Sequence, residues 1–241
     1  MDRTEAKKLP AGSPEHYAAY VGPPAEYDFM GATQFRLACA LGLRETHRVL
    51  DFGCGSLRAG RLLMMYLMKG NYYGIEPNAW LVEQAIEHEL GGQGILAVKQ
   101  PSFDHNADFK SDVFGVDFNF IIAQSIFSHA GPELIGRALS NFKASLRPGG
   151  LILATFVPNT RQAEFDGEGW VYPGCVTYSR ETIARFAKNA GLESMALPWF
   201  HPRQDWHIFA ADAADLPTQD EANQHLSGRV LRAPSLRNRS V

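Results

Sequence analysis

The chain has 241 residues, 45% of them apolar, and a formal net charge of −3. That length can bury a substantial core in a single domain, and the near-neutral balance supplies no long-range pull towards nucleic acid or an anionic membrane. Three cysteines, Cys39, Cys54 and Cys175, lie far apart with no CxxC pair, which argues against a disulfide framework and a zinc knuckle and fits a reducing, cytoplasmic setting.

Residues 1–26 are rich in Pro, Gly and charge, lack an apolar signal segment, and read as a flexible leader. The stretch YDFMGATQFRLACALGL predicts a helix closing near Gly42, with Phe29, Leu37, Ala38 and Leu41 available for a buried face. RVLDF is a short buried strand, and LRAGRLLMMYLM a helix after it, too short to span a bilayer. YYGIE is a second strand; Pro77 and Asn78 start a helix with Leu81, Ala85 and Ile86 on one face. GILAV reads as a third strand, followed by a long loop over 99–116. FNFIIAQ is apolar on both sides, as a strand inside a parallel sheet should be. GPELIGRALSNFKASL is the clearest helix, with Pro132 at its first position. RPGG turns into a fifth strand, LILATF; an irregular aromatic segment spans 157–178; SRETIARFAKNAGL is a helix stopped by Gly191. ESMALPWF and WHIFAA are the last two strands. Residues 212–241, poor in large apolar side chains and ending with Arg229, Arg232, Arg237 and Arg239, read as a mobile C-terminal tail.

This βα alternation implies a doubly wound α/β fold, mostly parallel, with helices on both faces. The short HPRQD link between the final strands makes the last one antiparallel.

Ligands of such sheets sit beyond the carboxyl ends of the strands, where strand order reverses. The first turn, in VLDFGCGSLRAG, has Gly53 and Gly55 to let a ligand approach the backbone, and a helix expected from about Ser56 to aim free N–H groups at it. Glu76 ends the second strand, next to that turn, where a carboxylate can accept from both hydroxyls of a ribose. A dinucleotide fingerprint GxGxxG would need glycine where the chain has Arg58, and no GxxxxGK[ST] phosphate loop occurs.

VLDFGCGSLRAG with YYGIEPN, then FNFIIAQSIFSH, then LRPGGLILATF, resembles the class I S-adenosylmethionine-dependent methyltransferases in motif order and spacing. The resemblance implies a Rossmann-like sheet of seven strands, the seventh antiparallel, over a methyltransferase domain at 27–211. It implies S-adenosyl-L-methionine as cofactor, with Asp51, Gly53, Cys54 and Gly55 flanking its methionine part and Glu76, beside Pro77, at the ribose. Phe103 and Asp104 are the nearest matches to the family's adenine-contacting position. Gln124 and Ser125, ending the fourth strand, match positions lining cofactor and active site.

Methyl transfer needs orientation and desolvation more than a nucleophilic side chain. Where the acceptor must lose a proton, His129 in QSIFSHAGP is the candidate base, at the carboxyl edge of the sheet. Tyr27, Trp170 and Tyr172 are candidate acceptor contacts, with Phe165 and Tyr178 as further aromatics; each also reads as packing. HPRQDWH reads as an acid-binding or a solvated turn. The eight histidines are scattered, so no metal is expected, although Asp104, His105 and Asp108 share a loop. The expected acceptor is a small molecule. The absence of an [ND]PP[YF] motif after the fourth strand argues against nucleic-acid amines, while a protein or nucleic-acid acceptor, or a cofactor-binding module without turnover, remains the alternative. Oligomeric state is not legible.

Overall fold

The computed structural model describes residues 2–159 and 163–226. The strands are β1 (Val49–Phe52), β2 (Tyr72–Ile75), β3 (Ser102–Asp104), β4 (Phe118–Ala123), β5 (Leu146–Pro158), β6 (Thr177–Tyr178), β7 (Glu193–Leu197) and β8 (Asp205–Ala210). Seven of them form one sheet in the order β3-β2-β1-β4-β5-β8-β7, and the two-residue β6 pairs with the end of β5. Strands β1 to β5 pair in parallel, and β8 runs antiparallel to both neighbours. This is the doubly wound, mostly parallel sheet expected from the alternating sequence.

The helices are α1 (Arg3–Ala6), α2 (Tyr17–Tyr20), α3 (Tyr27–Ala40), α4 (Gly60–Tyr66), α5 (Ala79–Glu89), α6 (Gly94–Lys99), α7 (Pro132–Ala144), α8 (Arg180–Asn189) and α9 (Gln219–His225). The period of two along each strand splits the core between the two faces of the sheet. Along β4, Phe120 and Ile122 pack with Leu63, Val82 and Ile86 of α4 and α5. Ile121 and Ala123 point the other way, onto Leu139 and Phe142 of α7 and Ile183 of α8. Strand order reverses between β2-β1 and β1-β4, so the crevice opens where β1 and β4 end.

Several segments differ from the sequence reading. GILAV forms helix α6, not the third strand, and β3 follows it inside the expected loop. Gly91 and Gly92, both at positive φ, end α5 and let the chain restart as a helix, which Gln100 (φ +47°) ends by turning into β3. A short apolar run suits either period; pairing decided it, because residues 102–104 take the free edge of β2 through Tyr73↔Ser102 and Ile75↔Asp104.

The helix expected near Ser56 begins only at Gly60. Leu57 takes φ +56°, which interrupts helical geometry between the glycine turn and α4.

Residues 2–26, read as a flexible leader, carry α1 and α2 and bury Ala6, Tyr17, Ala18 and Ala19. Their anchor is Glu89 of α5, which accepts from Tyr17 Oη at 2.7 Å and pairs with Arg61 Nη1 at 2.7 Å and Arg3 Nη1 at 3.3 Å. Polar composition concealed this attachment because each charge finds its partner far along the chain. At the other end, residues 212–226 include α9, capped by Thr218 and Glu221, with Ala222 and Leu226 buried against the core. Arg229, Arg232, Arg237 and Arg239 lie outside the described residues.

Candidate active site

A cavity of about 520 Å³ occupies the crevice. Its floor is the turn after β1. Gly53 (φ +71°) and Gly55 (φ +53°) hold conformations that side-chain-bearing residues rarely adopt. A Cβ on Gly53 would stand 2.1 Å from Ile126 Cδ1, and one on Gly55 2.7 Å from Val21 Cγ1. Only bare backbone fits between these neighbours.

The donors of this turn are engaged within the protein. Gly53 N–H and Cys54 N–H both donate to Ile75 O, at 2.8 and 3.0 Å. Gly55 N–H donates to Glu76 Oε2 at 3.0 Å, while Glu76 Oε1 accepts from Asn78 N–H and Nδ2, both at 2.9 Å. Glu76 is buried and faces the cavity. It thus clamps the glycine turn to the end of β2 and still presents carboxylate lone pairs to whatever occupies the crevice.

Of the sequence-predicted positions, Asp51, Gly53, Cys54, Gly55, Glu76, Gln124, Ser125, His129, Trp170 and Tyr172 all line this cavity. Asp51 is buried and accepts from Tyr72 Oη at 2.9 Å. Burial pushes its carboxyl up to about 6, against the pull of the Tyr72 hydroxyl and the Arg58 charge. Burial also pushes the Cys54 thiol well up, so it is a packing group rather than a nucleophile.

Six predicted positions lie outside the cavity lining, Phe165 and Tyr178 among them. Pro77 faces outward and is exposed. Phe103 packs edge-on against Tyr72, 6.0 Å between ring centroids. Asp104 accepts from Asn106 N–H at 2.9 Å. Tyr27 is buried beside α4, donating its hydroxyl to Ser56 O at 2.5 Å, with Arg3 and Arg61 over its ring. Tyr27 therefore fastens α3 to the glycine turn instead of meeting an acceptor.

His129 sits after β4, half-buried between Trp170 and Tyr172, with ring centroids at 5.5 and 5.0 Å. Its Nδ1 is 2.5 Å from Gly174 O. A carbonyl can only accept, so Nδ1 carries the proton and Nε2 keeps its lone pair. Burial pushes this imidazole below its usual value, the Gly174 carbonyl opposing. Of the segment read as irregular, 157–158 belong to β5 and 177–178 to β6, and the chain between 163 and 176 folds across the end of β4 through Val171 N–H to His129 O (2.9 Å) and Val176 N–H to Ser128 O (2.8 Å). Tyr172 Oη then donates to Tyr20 O at 2.7 Å, which joins this loop to the leader over the cavity.

The sequence reading missed the wall formed by Gln34, Arg58 and Gln204. Gln34 and Arg58 are buried. Gln124 Oε1 accepts from Gln34 Nε2 at 3.2 Å and from Arg58 Nη2. Gln204 Nε2 donates to Ser125 Oγ at 2.9 Å. Gln34 had a signal: it lies on the stripe Met30–Gln34–Leu37–Ala38 that α3 buries, where an amide needs a reason. Arg58 had none, since a charged residue after a turn reads as solvated. In the HPRQD hairpin, His201 Nδ1 accepts from Arg203 and Gln204 N–H, and Arg203 pairs with Glu26 at 2.8 Å. Among the described residues no group of three or more His, Cys, Asp or Glu could hold a metal.

A family described as "Methyltransferase domain" matches residues 25–197. The chain belongs to this family, a class I S-adenosylmethionine-dependent methyltransferase with the Rossmann-like fold of its group. Solved structures of the same fold include magnesium protoporphyrin IX methyltransferase (ChlM) from Synechocystis PCC 6803 with bound SAM, at TM-score 0.57 and 14% identity, covering 78% of this chain and 81% of that one. The CcbJ methyltransferase from Streptomyces caelestis aligns at TM-score 0.60 and 15% identity, covering 85% and 100%. The glycopeptide N-methyltransferase MtfA aligns at TM-score 0.58 and 10% identity, covering 76% and 90%. No helix among the described residues is long and apolar enough to cross a membrane.

Proposed function

We propose that the chain transfers the methyl group of S-adenosylmethionine to a small-molecule acceptor by in-line displacement. The observation that carries this reading is the meeting of Glu76 with the backbone of Gly53–Gly55 in a cavity that His129 also lines. A ribose fits beside a buried carboxylate with spare lone pairs at the end of β2. The names of the magnesium protoporphyrin IX methyltransferase ChlM and the glycopeptide N-methyltransferase MtfA refer to a porphyrin and a glycopeptide, which supports the acceptor class.

In this reading Glu76 orients the nucleoside, and Asp51, Gly53, Cys54 and Gly55 bound the amino-acid end. Gln124 and Ser125 border the reacting centre. The sulfonium, when bound, supplies an activated methyl, so the chain needs no covalent nucleophile. Its own residues hold the acceptor in line and keep water out, which is where proximity supplies several of the roughly 7–11 kcal/mol available. The leader and the loop carrying Trp170 and Tyr172 close the space. His129 Nε2 takes the acceptor's proton where one must leave, worth about 10²–10⁴-fold.

The test is calorimetry with S-adenosylmethionine, followed by turnover of methyl-labelled cofactor against fractionated cell extract. We expect micromolar binding, about −8 kcal/mol, and label in a low-molecular-mass fraction. Label recovered only in protein or nucleic acid would overturn the acceptor class, and absence of binding would overturn the reading.

A further inference from the structure

Trp170 lines the cavity and is 46% exposed, so a large aromatic surface stands in water at its wall. Its backbone is held on both sides: Ala130 and Trp170 form a β-bridge, and Val171 N–H donates to His129 O at 2.9 Å. Its ring lies against Phe109 and His129, with centroids at 6.2 and 5.5 Å. A fixed indole with an open face is a platform for a flat ring. Tyr172 packs edge-on against His129, and its hydroxyl is already engaged with Tyr20 O. His129 Nε2, with its lone pair, thus stands as a hydrogen-bond acceptor among aromatic faces. Ser125 adds a donor. It follows β4 at φ +60°, a strained setting for a serine. Gln124 Oε1 accepts from the Arg58 guanidinium, which can only donate, so Gln124 Nε2 meets Ser125 Oγ as a donor, at 2.5 Å. Gln204 Nε2 donates to the same Oγ at 2.9 Å. Both lone pairs are taken, so Ser125, which lines the cavity, meets a ligand through its O–H.

We infer that the methyl acceptor is a phenol, a compact planar ring that stacks on Trp170 and brings its hydroxyl to His129 and Ser125. This deepens the methyltransferase reading and rests on it. A hydroxyl donates one hydrogen bond and accepts another, which is what His129 Nε2 and the Ser125 O–H ask of a ligand. The cavity of about 520 Å³ has to hold the cofactor as well, which keeps the acceptor small. The strength of the base selects the kind of hydroxyl. Imidazole ordinarily titrates at about 6.5, and burial pushes His129 lower. A phenol, at about 10, is within reach of such a base as its oxygen reacts, whereas an aliphatic alcohol, close to water at about 15.7, is not. In the step, the phenolic proton passes to His129 Nε2 and the phenol oxygen forms the new bond to the methyl carbon. The electron pair of the broken sulfur–methyl bond stays on sulfur, which leaves S-adenosylhomocysteine as a neutral thioether. His129 then returns the proton to water.

The experiment has two arms. In the first, the protein is titrated calorimetrically with para-cresol and with 4-methylcyclohexanol, in the presence and absence of S-adenosylhomocysteine. The two probes share one carbon skeleton and differ in the flat ring and in the acidity of the hydroxyl. Wild type should bind para-cresol at least tenfold more tightly. Trp170→Ala should erase that preference and Trp170→Phe should keep part of it, with S-adenosylhomocysteine affinity and melting temperature unchanged in both. Equal binding of the two probes, binding of neither, or a preference that survives Trp170→Ala overturns the inference. In the second arm, the product labelled in cell extract is purified. Its label should survive alkali and be released by hydriodic acid, as from an aryl methyl ether, and the product should show near-ultraviolet ring absorption. Release by alkali, retention in hydriodic acid, or absence of ring absorption overturns the phenol. With the purified acceptor, Trp170→Ala should raise KM more than tenfold and leave kcat nearly unchanged; an unchanged KM would remove Trp170 from acceptor binding. The two readings fail separately. Binding of S-adenosylhomocysteine without a para-cresol preference overturns the phenol and leaves the methyltransferase reading standing. A para-cresol preference without S-adenosylhomocysteine binding overturns the methyltransferase reading and leaves a cavity selective for phenols.

Discussion

Gly55 and Glu76 are 21 residues apart in sequence, and the backbone N–H of the first donates to the carboxylate of the second at 3.0 Å. One side chain therefore fixes the shape of the glycine turn and faces the cavity. Glu76→Ala removes three accepted hydrogen bonds, from Gly55 N–H, Asn78 N–H and Asn78 Nδ2. S-adenosylmethionine affinity should fall more than tenfold by calorimetry, and stability by about 1–3 kcal/mol by urea titration. Unchanged affinity would remove Glu76 from the site.

His129 makes a separate prediction. Burial favours its neutral form, so at pH 7 Nε2 is ready to accept a proton. As pH falls below the usual imidazole range the ring protonates and kcat/KM should drop; above that range it should be level in this residue's contribution. His129→Ala should lower turnover about 10²-fold or more and leave cofactor affinity intact. Equal activity in the variant would reject the base role.

The leader should loosen when its anchor is cut. In Glu89→Ala, Tyr17 and the two arginines lose their shared acceptor. Arg3 and Arg61 are partly exposed and keep Asp28, so the cost should be about 2 kcal/mol, mostly from the buried tyrosine. Limited proteolysis should reach residues 7–16 faster, and cofactor affinity should weaken because Gly12, Tyr20 and Val21 wall the cavity. Proteolysis at the wild-type rate would contradict the anchor.

His207 links stability to pH. It is buried beside Phe156, ring centroids 5.4 Å apart, and its Nε2 has no partner. Burial pushes it down to about 4, Asp205 pulling upward and Arg180 adding to the fall. The unfolded chain takes up this proton near the ordinary imidazole value, the folded chain only near 4. Between them the unfolded state binds more protons, so the contribution is present above about 6.5 and is lost as pH falls towards 4, by about 3 kcal/mol at the limit. Asp51, raised to about 6, acts in the opposite sense, so the readout is the difference between wild type and His207→Leu, in which Asp51 cancels. A difference that stays constant from pH 7 to pH 4 would refute the linkage.

The sequence by itself determined the glycine turn and the sheet apart from its third strand. Both depend on local signals: strand-length apolar runs, helical periodicity in α7 and α8, glycines where φ must be positive, and a carboxylate ending β2. Tertiary structure alone decided that GILAV is a helix, because a short apolar run satisfies either period and only the free edge of β2 discriminates. It alone seated the leader, through an acceptor more than seventy residues away in Glu89. It alone put Arg58 in the cavity, since burial of a charge arises from what packs around it and leaves no trace in the neighbouring residues. Periodicity records what a segment does for itself; long-range partners are settled only when the chain closes on them.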